Sequence, residues 1–386
     1  MHRWFRAGAP LALAVGLLLG LSPARGDDPA SLIARIQKVG REGAGNEDAA
    51  TAWKALVKQG PAALAPILGA INDDQFVAAN WLRPAFEAVA EKALADGKLS
   101  RDALDKFVAD KKLAGSARAL AYEWLVRVDK GASERLLPTM LQDPSAELRR
   151  LAVERVVKQA EALEKADKKA PARAAYEKAL AGACDPDQVD AIAKALEKLG
   201  AKVDLARHYG VVQKWHLITP FDHKKGAGWD VTYPPEKGID LTASYKGTDG
   251  KEAKWVEHTT TDATGVVDLN KALGKLKGTI AYAGAFVESP TEREVELRVG
   301  CINGLKVWLN GKLLFANEEY HHGMRMDQYV ARGTLKKGAN TILLKVAQNE
   351  QKENWAQEWR FQLRLCDRVG AAVPFTPSKP GAQEDK

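Results

Sequence analysis

The chain has 386 residues, 28% of them charged, and a formal net charge of +7 at pH 7. This length is sufficient for two domains with separate cores. Three of the arginines behind this positive charge lie in an N-terminal leader. The remaining net charge of +4 is spread over residues 206–370. A nucleic-acid-binding protein would concentrate basic residues on one face, so we expect no nucleic-acid partner.

Residues 1–26 predict an export signal. Arg3 and Arg6 precede an apolar run over residues 7–21, and small residues stand at positions −3 and −1 of a cleavage site before Asp27. The apolar run is shorter than the ~20 residues that span a bilayer, which favours a cleaved leader over an anchor. We therefore expect an exported protein, in the periplasm, on the cell surface or secreted, with no transmembrane anchor.

Residues 27–205 are predicted to form an α-helical domain. Alanine, leucine, glutamate, lysine and arginine dominate this stretch, and apolar residues recur at spacings of three and four. Asp, Gly or Pro separates most of the helix-sized units. The predicted helices are 62–71, 76–94, 117–128, 133–141, 146–163, 170–181 and 187–199.

One helical segment carries a family resemblance. The sequence Leu-Gln-Asp-Pro-Ser-Ala-Glu-Leu-Arg-Arg-Leu-Ala-Val from Leu141 resembles the inter-helix turn and second helix of a HEAT repeat, and residues 71–82 are a looser copy. Asp73 and Asp143 are 70 residues apart, room for about two periods of ~40 to 47 residues. The resemblance implies an α-solenoid, whose extended surface commonly binds proteins. An unrelated helical bundle, or a mere spacer, is the alternative.

The composition changes near Gly210, where turn dipeptides, tryptophans and β-branched runs begin. We predict an antiparallel β-sandwich over residues 211–370 and a disordered tail over residues 371–386. The predicted strands are 214–218, 254–257, 277–287, 293–302, 305–309, 312–315, 333–335, 340–348 and 359–365.

The clearest strand pattern lies between Val295 and Phe315, where apolar and polar residues alternate. Asn303-Gly304 and Asn310-Gly311 interrupt the alternation, and Asn-Gly tolerates the positive φ angles of a two-residue hairpin turn. The pattern therefore predicts a three-stranded meander, with Trp308 on the face opposite the neighbouring inward residues.

Three pieces of this domain, in this order, resemble a known module. They are Trp-His-Leu-Ile-Thr-Pro-Phe from Trp215, Val-Trp-Leu-Asn-Gly-Lys from Val307, and Leu-Lys-Lys-Gly-Ala-Asn-Thr-Ile from Leu335. The order is similar to the galactose-binding-like jelly roll of family 2 glycoside hydrolases and of protective-antigen-type lectin modules. The resemblance implies a sugar-binding architecture without the catalytic barrel. The acidic pair of the calcium-dependent relatives is absent before Gly304, so we expect no calcium requirement.

No pattern of catalytic residues is recognisable. The sequence has no nucleophile elbow, no phosphate-binding loop and no dinucleotide fingerprint. His321 and His322 are adjacent, so on an extended chain they point to opposite sides rather than toward one metal ion. We therefore predict a protein that is not an enzyme, with no cofactor and no metal. Three cysteines are too few for a disulfide framework, and we expect unpaired thiols.

Sugar recognition needs an aromatic platform with amide and charged groups nearby. The alternative is that these aromatic residues only cover the edges of the sandwich. The candidate ligand-binding residues in the predicted loops are Trp229, Tyr233, Trp255, Asn317, Tyr320, His321, His322, Arg325, Asp327 and Trp355.

The predicted function is carbohydrate recognition or adhesion through the sandwich, with protein contacts through the helical repeats. The architecture and the alanine- and lysine-rich composition resemble those of exported proteins of bacteria such as planctomycetes. Two alternatives stay open from the sequence. One is a purely structural protein–protein scaffold of the cell envelope that binds no sugar, and the other is an accessory module of a hydrolytic system.

Overall fold

A computed structural model describes residues 28–379, so the predicted leader, residues 1–26, lies outside the described residues. Of these, residues 28–130 form one compact unit and residues 131–379 form a second. The N-terminal region is helical and the C-terminal region consists mainly of antiparallel strands, as the sequence predicts. The second unit contains helices of the helical region as well as the sheets. Independent folding of residues 27–205 and of residues 211–370 therefore stays a prediction.

The first unit is entirely helical. Asp28 and Ser100 cap two of its helices by accepting backbone N–H groups of the first turn. The Asp73 carboxylate, which precedes another helix, accepts the backbone N–H of Gly115 at 3.0 Å. The helices are α1 Pro29–Ile36, α2 Asn46–Lys58, α3 Leu64–Ala70, α4 Phe76–Ala95, α5 Arg101–Ala109 and α6 Gly115–Val128.

The second unit begins with five helices. Arg150 donates hydrogen bonds to Asp185 at 2.9 Å and to Asp187 at 2.6 Å, which joins the starts of two of them. Their apolar sides share a core that includes Val153 and Tyr209. The helices are α7 Ala132–Leu136, α8 Ala146–Lys165, α9 Lys169–Gly182, α10 Pro186–Lys198 and α11 Leu205–Tyr209. Among residues 28–379, no helix combines the length and the apolar character needed to cross a membrane.

Thirteen described strands and two short helices follow. The strands are β1 Lys214–Asp222, β2 Ser244–Lys246, β3 Glu252–Lys254, β4 Val256–Thr259, β5 Val267–Asp268, β6 Thr279–Ser289, β7 Arg293–Cys301, β8 Leu305–Leu309, β9 Lys312–Asn317, β10 Tyr329–Leu335, β11 Gly338–Gln348, β12 Arg360–Cys366 and β13 Thr376–Pro377. The helices are α12 Pro234–Lys237 and α13 Leu269–Leu273. The large sheet has the order β4-β1-β6-β11-β8-β9, with β13 also paired to β6, and the small sheet has the order β10-β7-β12-β5. β2 and β3 pair with each other in a separate two-stranded sheet.

The two sheets enclose one apolar core. Alternate residues of β7 and β11, such as Leu297 and Leu344, are completely buried in it. Ile342 and Val346 lie in the same core. The period-2 alternation therefore places one face of each sheet inside and leaves the other face for separate contacts.

One of the two predicted hairpin turns is confirmed, and the other is wrong. Asn310 and Gly311 have φ angles of 51° and 78°, and they join β8 to β9 in a hairpin. Asn303 and Gly304 do not form a hairpin, because β7 belongs to the small sheet and β8 to the large sheet. The predicted meander is therefore a crossing from one sheet to the other, and Asn303 is buried at the crossing point.

A long connection between β1 and β6 covers much of the outer face of the large sheet. We call residues 229–255 the covering segment. Its aromatic and aliphatic side chains pack on Tyr282, Trp308 and Leu343, so the sheet has a second, smaller core on its outer face. Gly284 lies directly beneath Ile239, and a Cβ atom there would come within 2.9 Å of the isoleucine side chain.

The C-terminal segment differs from the prediction of a disordered tail. Residues 371–379 are described, and they fold back so that Thr376 pairs with Glu288 of β6. Val373 is buried in the sandwich core and so holds this segment in place. The polar composition of the segment as a whole did not indicate this contact. Residues 380–386 lie outside the described part of the chain. Cys184, Cys301 and Cys366 are unpaired thiols in the structure.

Candidate functional site

Several connections meet at one end of the sandwich, where β1, β7, β9 and β11 end. The connection between β9 and β10, residues 318–328, is here called the histidine loop. The connection between β11 and β12, residues 349–359, is called the tryptophan loop. The predicted site residues other than Trp229, Tyr233 and Trp255 lie in these two loops or, for Asn317, at the end of β9.

His321 and His322 point into different hydrogen-bond networks. His321 has a φ angle of 58°, in the left-handed region, which turns the chain between the two side chains. Its Nε2 atom lies 2.6 Å from Oδ1 of Asn349, whereas Nδ1 of His322 lies 2.9 Å from Nε2 of Gln328. The chain is not extended here, contrary to the basis of the prediction, and the two rings have different hydrogen-bond partners.

A buried amide holds the histidine loop in place. Nδ2 of Asn303 donates to Oε1 of Gln348 at 3.1 Å and to the carbonyl of Glu358 at 3.2 Å. Its Oδ1 accepts the backbone N–H of His321 at 3.2 Å. Nε2 of Gln348 and Nδ1 of His321 are buried without a partner among the described residues. Because Asn349 supplies an acceptor to His321, this imidazole offers its other nitrogen as an acceptor.

A second chain of hydrogen bonds involves Tyr320. Nε2 of the buried His223 lies 2.7 Å from the Tyr320 hydroxyl, which donates to Oε1 of Glu318 at 3.0 Å. Burial lowers the pKa of His223 below its ordinary value of 6.5 and raises the pKa of Tyr320 above 10.0. Both rings are therefore uncharged at neutral pH, and they present polar but neutral groups at this end of the sandwich.

Trp355 projects from the tryptophan loop into solvent. Its side chain is 62% exposed, and no other tryptophan in residues 28–379 is exposed. The loop beneath it is firmly tied, since Lys277 donates to the carbonyl of Ala356 at 2.6 Å and Gln357 donates to that of Lys352 at 2.7 Å. The indole packs edge-on against the His321 ring, with centroids 5.5 Å apart. This arrangement is an open aromatic surface on a rigid support.

The other side of the histidine loop brings Asn317, His322 and Arg325 together. The Tyr329 hydroxyl accepts from Nδ2 of Asn317 at 2.9 Å and lies 3.3 Å from Nε2 of His322. His322 and Arg325 line an open depression of about 570 Å³. These three predicted residues are therefore neighbours of each other, but they do not share the His321 and Trp355 surface.

Asp327 is a structural anchor rather than a free ligand group. Its carboxylate accepts from Nε of Arg364 at 2.7 Å and from Nη1 of Arg298 at 2.9 Å. Burial would raise the pKa of Asp327, but the two guanidinium groups outweigh burial and lower it below 3.8. The end of the histidine loop is thus fixed to the outer face of the small sheet.

Trp229, Tyr233 and Trp255 pack in one cluster that Tyr320 of the histidine loop also joins. All three are half-buried in the covering segment and pack on the outer face of the large sheet. Trp229 also lies under the Lys306 ammonium group, 4.5 Å from the ring centroid. These aromatic residues cover the sheet, which is the alternative that the sequence left open for them.

Neither models of known protein families nor curated proteins match this sequence. Within residues 28–379, no three His, Cys, Asp or Glu side chains are placed to hold one metal ion. The functional proposal below is based on the geometry of Trp355, His321 and Asn349.

Sequence reasoning did not find the polar residues that surround Trp355 and the histidine loop. Asn303 was interpreted as a turn residue, although its buried side chain joins four segments of the chain. Asn349 directly follows β11, and polar residues just after a long apolar strand are a signal that could have indicated it. His223, 97 residues from Tyr320, has no comparable local signal.

Proposed function

We propose that this protein recognises carbohydrate through the surface formed by Trp355, His321 and Asn349. The observation that carries the proposal is the 62% exposed Trp355 ring, held by a tied loop beside imidazole and amide groups. Aromatic faces pack on the C–H surface of sugars, and side-chain amides exchange hydrogen bonds with hydroxyls. His321 contributes by packing against Trp355 and not through its ring nitrogens, since Nε2 is bonded to Asn349 and Nδ1 is buried. Because the loop is already ordered, little conformational entropy is lost on binding.

The proposed ligand is a neutral glycan, bound weakly and without calcium. The exposed Trp355 ring and the Asn349 amide carry no charge, so they do not select an ionic group. The described residues contain no carboxylate cluster of the kind that holds calcium. An open surface with one stacked ring gives dissociation constants of ~0.1 to 1 mM. We propose that the protein is exported and that it is not an enzyme.

We also propose a galactose-binding-like jelly roll for the sandwich. The support is the face-to-face pair of antiparallel sheets, the Asn310-Gly311 hairpin, and the crossing from β7 to β8 between the sheets. The candidate site then lies in loops at one end of the sandwich, which is where such loops are free to vary.

For the helical region we propose HEAT-like repeats that contact a protein partner. Asp143-Pro144 lies just before α8, and Asp185-Pro186 lies at the start of α10. The two Asp-Pro pairs are 42 residues apart, within the expected period. Arg150 bridges from one of these helices to the acidic residues of the next. In the first unit, Phe76 at the start of α4 is 63% exposed, a feature that favours contact with another protein.

A binding titration tests the carbohydrate proposal. The chain expressed from Asp27 is titrated with a panel of oligosaccharides and polysaccharides, with and without a chelator. We expect Trp355→Ala to abolish binding, Trp355→Phe to retain part of it, and Leu313→Ala, at an exposed strand position elsewhere, to have no effect. The chelator should change nothing.

Three outcomes count against the proposal. Absence of binding across the panel would support the scaffold alternative, and equal binding by Trp355→Ala would place the ligand elsewhere. Release of reducing ends during the titration would show that the protein is an enzyme.

A further inference from the structure

A separate cavity of about 360 Å³ lies on the outer face of the large sheet, beside residues 235–239 of the covering segment. Its lining comes from α12, the Asn310-Gly311 turn, the start of β11 and residues 378–379. These elements belong to the end of the sandwich opposite the histidine and tryptophan loops, because β11 runs from Gly338 at one end to Gln348 at the other. The volume is within the ~300 to 1,000 Å³ range of small-molecule sites.

The floor of this cavity is apolar. Phe286, Trp308 and Leu343 lie side by side on three neighbouring strands, and Ile239 of the covering segment forms a wall. A flat ring with one apolar face could therefore pack on the floor. The volume has room for a single ring with its substituents rather than for a chain.

Polar groups at the edge of the floor are available to a ligand. Oε1 of Glu236 accepts hydrogen bonds from Lys345 at 3.0 Å and from the Tyr282 hydroxyl, whereas its Oε2 has no partner among the described residues. The hydroxyl of Ser378, which lines the cavity, is buried without a partner in the described chain. Thr341 adds a second hydroxyl to the lining.

The charge of Glu236 is balanced by Lys345, which forms an ion pair with it. A cationic ligand would therefore gain little from this carboxylate. Lys237 and Lys379 also line the cavity, but both are exposed, so solvent screens their charges from an anionic ligand. A neutral hydroxyl group can instead donate to Oε2 and accept from Ser378 or Thr341. The lining thus matches a neutral ring that carries several hydroxyl groups.

We propose that this cavity is a second ligand site, which takes a single neutral pyranose-sized ring bearing hydroxyl groups. The proposal does not depend on Trp355, since no residue of the histidine or tryptophan loop lines the cavity. A protein with both sites would hold an extended glycan at one end of the sandwich and a single sugar residue at the other.

The test follows the indole N–H signal of Trp308 by NMR in the chain expressed from Asp27 and labelled at tryptophan. The probes are methyl glycosides of glucose, galactose, mannose and N-acetylglucosamine, added to concentrations on the order of 10 mM. At least one of them should shift the Trp308 signal. The shift should persist in Trp355→Ala, which separates this site from the one proposed above.

Two variants make the assignment specific. Ala339→Trp fills the cavity from an exposed strand position and should abolish the shift, while Val330→Trp, an exposed position on the small sheet, should not. Thr341→Val removes one hydroxyl with little change of shape and should weaken binding about fivefold, the equivalent of a hydrogen bond of ~1 kcal/mol. A Trp308 signal that no probe shifts, or a shift that survives Ala339→Trp, would overturn the proposal.

Discussion

The ammonium group of Lys345 lies 3.0 Å from Oε1 of Glu236, and the lysine side chain is completely buried. The same Nζ atom donates to the carbonyls of Trp229 at 2.9 Å and Val231 at 2.8 Å. All three donors of the ammonium group are thereby used, and each acceptor belongs to the covering segment or to α12 within it. This single lysine therefore attaches the covering segment to the middle of the large sheet.

Replacement of Lys345 should be strongly destabilising. Burial lowers the pKa of Lys345 below 10.5 even though Glu236 lies beside it, which shows how far the group is removed from water. Lys345→Met would leave Glu236 buried without its counterion, and we expect a loss of about 3 to 5 kcal/mol in the free energy of unfolding. Urea denaturation measures this quantity.

Lys306→Met is the matched control for Lys345→Met. Lys306 occupies the neighbouring position on β8, but its side chain is 13% exposed and has one hydrogen bond to the covering segment, at 2.8 Å from the carbonyl of Trp229. Its loss should cost about 1 kcal/mol. Equal losses in the free energy of unfolding for the two variants would mean that Lys345 is not the main attachment of the covering segment to the large sheet.

Gly311→Val tests the confirmed hairpin. A Cβ atom at Gly311 would meet nothing within 4 Å, so any cost comes from the φ angle of 78° and not from a clash. A β-branched residue resists that conformation, and we expect a loss of about 1 kcal/mol or more. Asn310→Gly keeps the positive φ angle but removes a side chain that accepts from the backbone N–H of Thr341 at 2.9 Å and donates to Asn340 at 2.8 Å, so it should also cost about 1 kcal/mol. An unchanged midpoint for Gly311→Val would contradict the turn geometry.

The two Asn-Gly pairs show what local sequence could and could not predict. At Asn310-Gly311 the backbone preference alone determines the turn, so the pattern was sufficient. At Asn303-Gly304 the next strand joins a different sheet, and that choice depends on partners such as Gln348, which is 45 residues away. The strands and the inward residues were predictable from alternation, whereas polar contacts between distant loops were not.

Stability should fall as the pH is lowered below about 6.5, because of two buried histidines. Burial lowers the pKa of His208 and of His223 in the folded protein. Between the folded value and the ordinary 6.5 the unfolded chain binds more protons, so the free energy of unfolding decreases as the pH falls through this window. Thermal melts from about pH 8 to 5 should show the decrease, and His208→Gln should reduce it. A flat profile above pH 5 would contradict the burial of these rings.

Asp327 predicts a second loss of stability at lower pH. Its folded-state pKa is below 3.8, so its stabilisation is complete above that value and is lost as the pH falls through the folded value. Asp327→Asn leaves the buried Arg364 without its carboxylate, and we expect a loss of about 3 kcal/mol near pH 7. The difference between the native chain and this variant should shrink as the pH falls below 3.8. Asp230→Asn, at a highly exposed ion pair with Lys306, should cost almost nothing at any pH.

The same Asp327→Asn variant distinguishes an anchor from a ligand group. Asp327 holds the end of the histidine loop, while His321 and Asn303 hold its middle through separate hydrogen bonds. Glycan binding measured near neutral pH, at a temperature where the variant is still folded, should therefore weaken only modestly. If binding were abolished while the fold remained intact by circular dichroism, Asp327 would contact the ligand and its role as an anchor would be wrong.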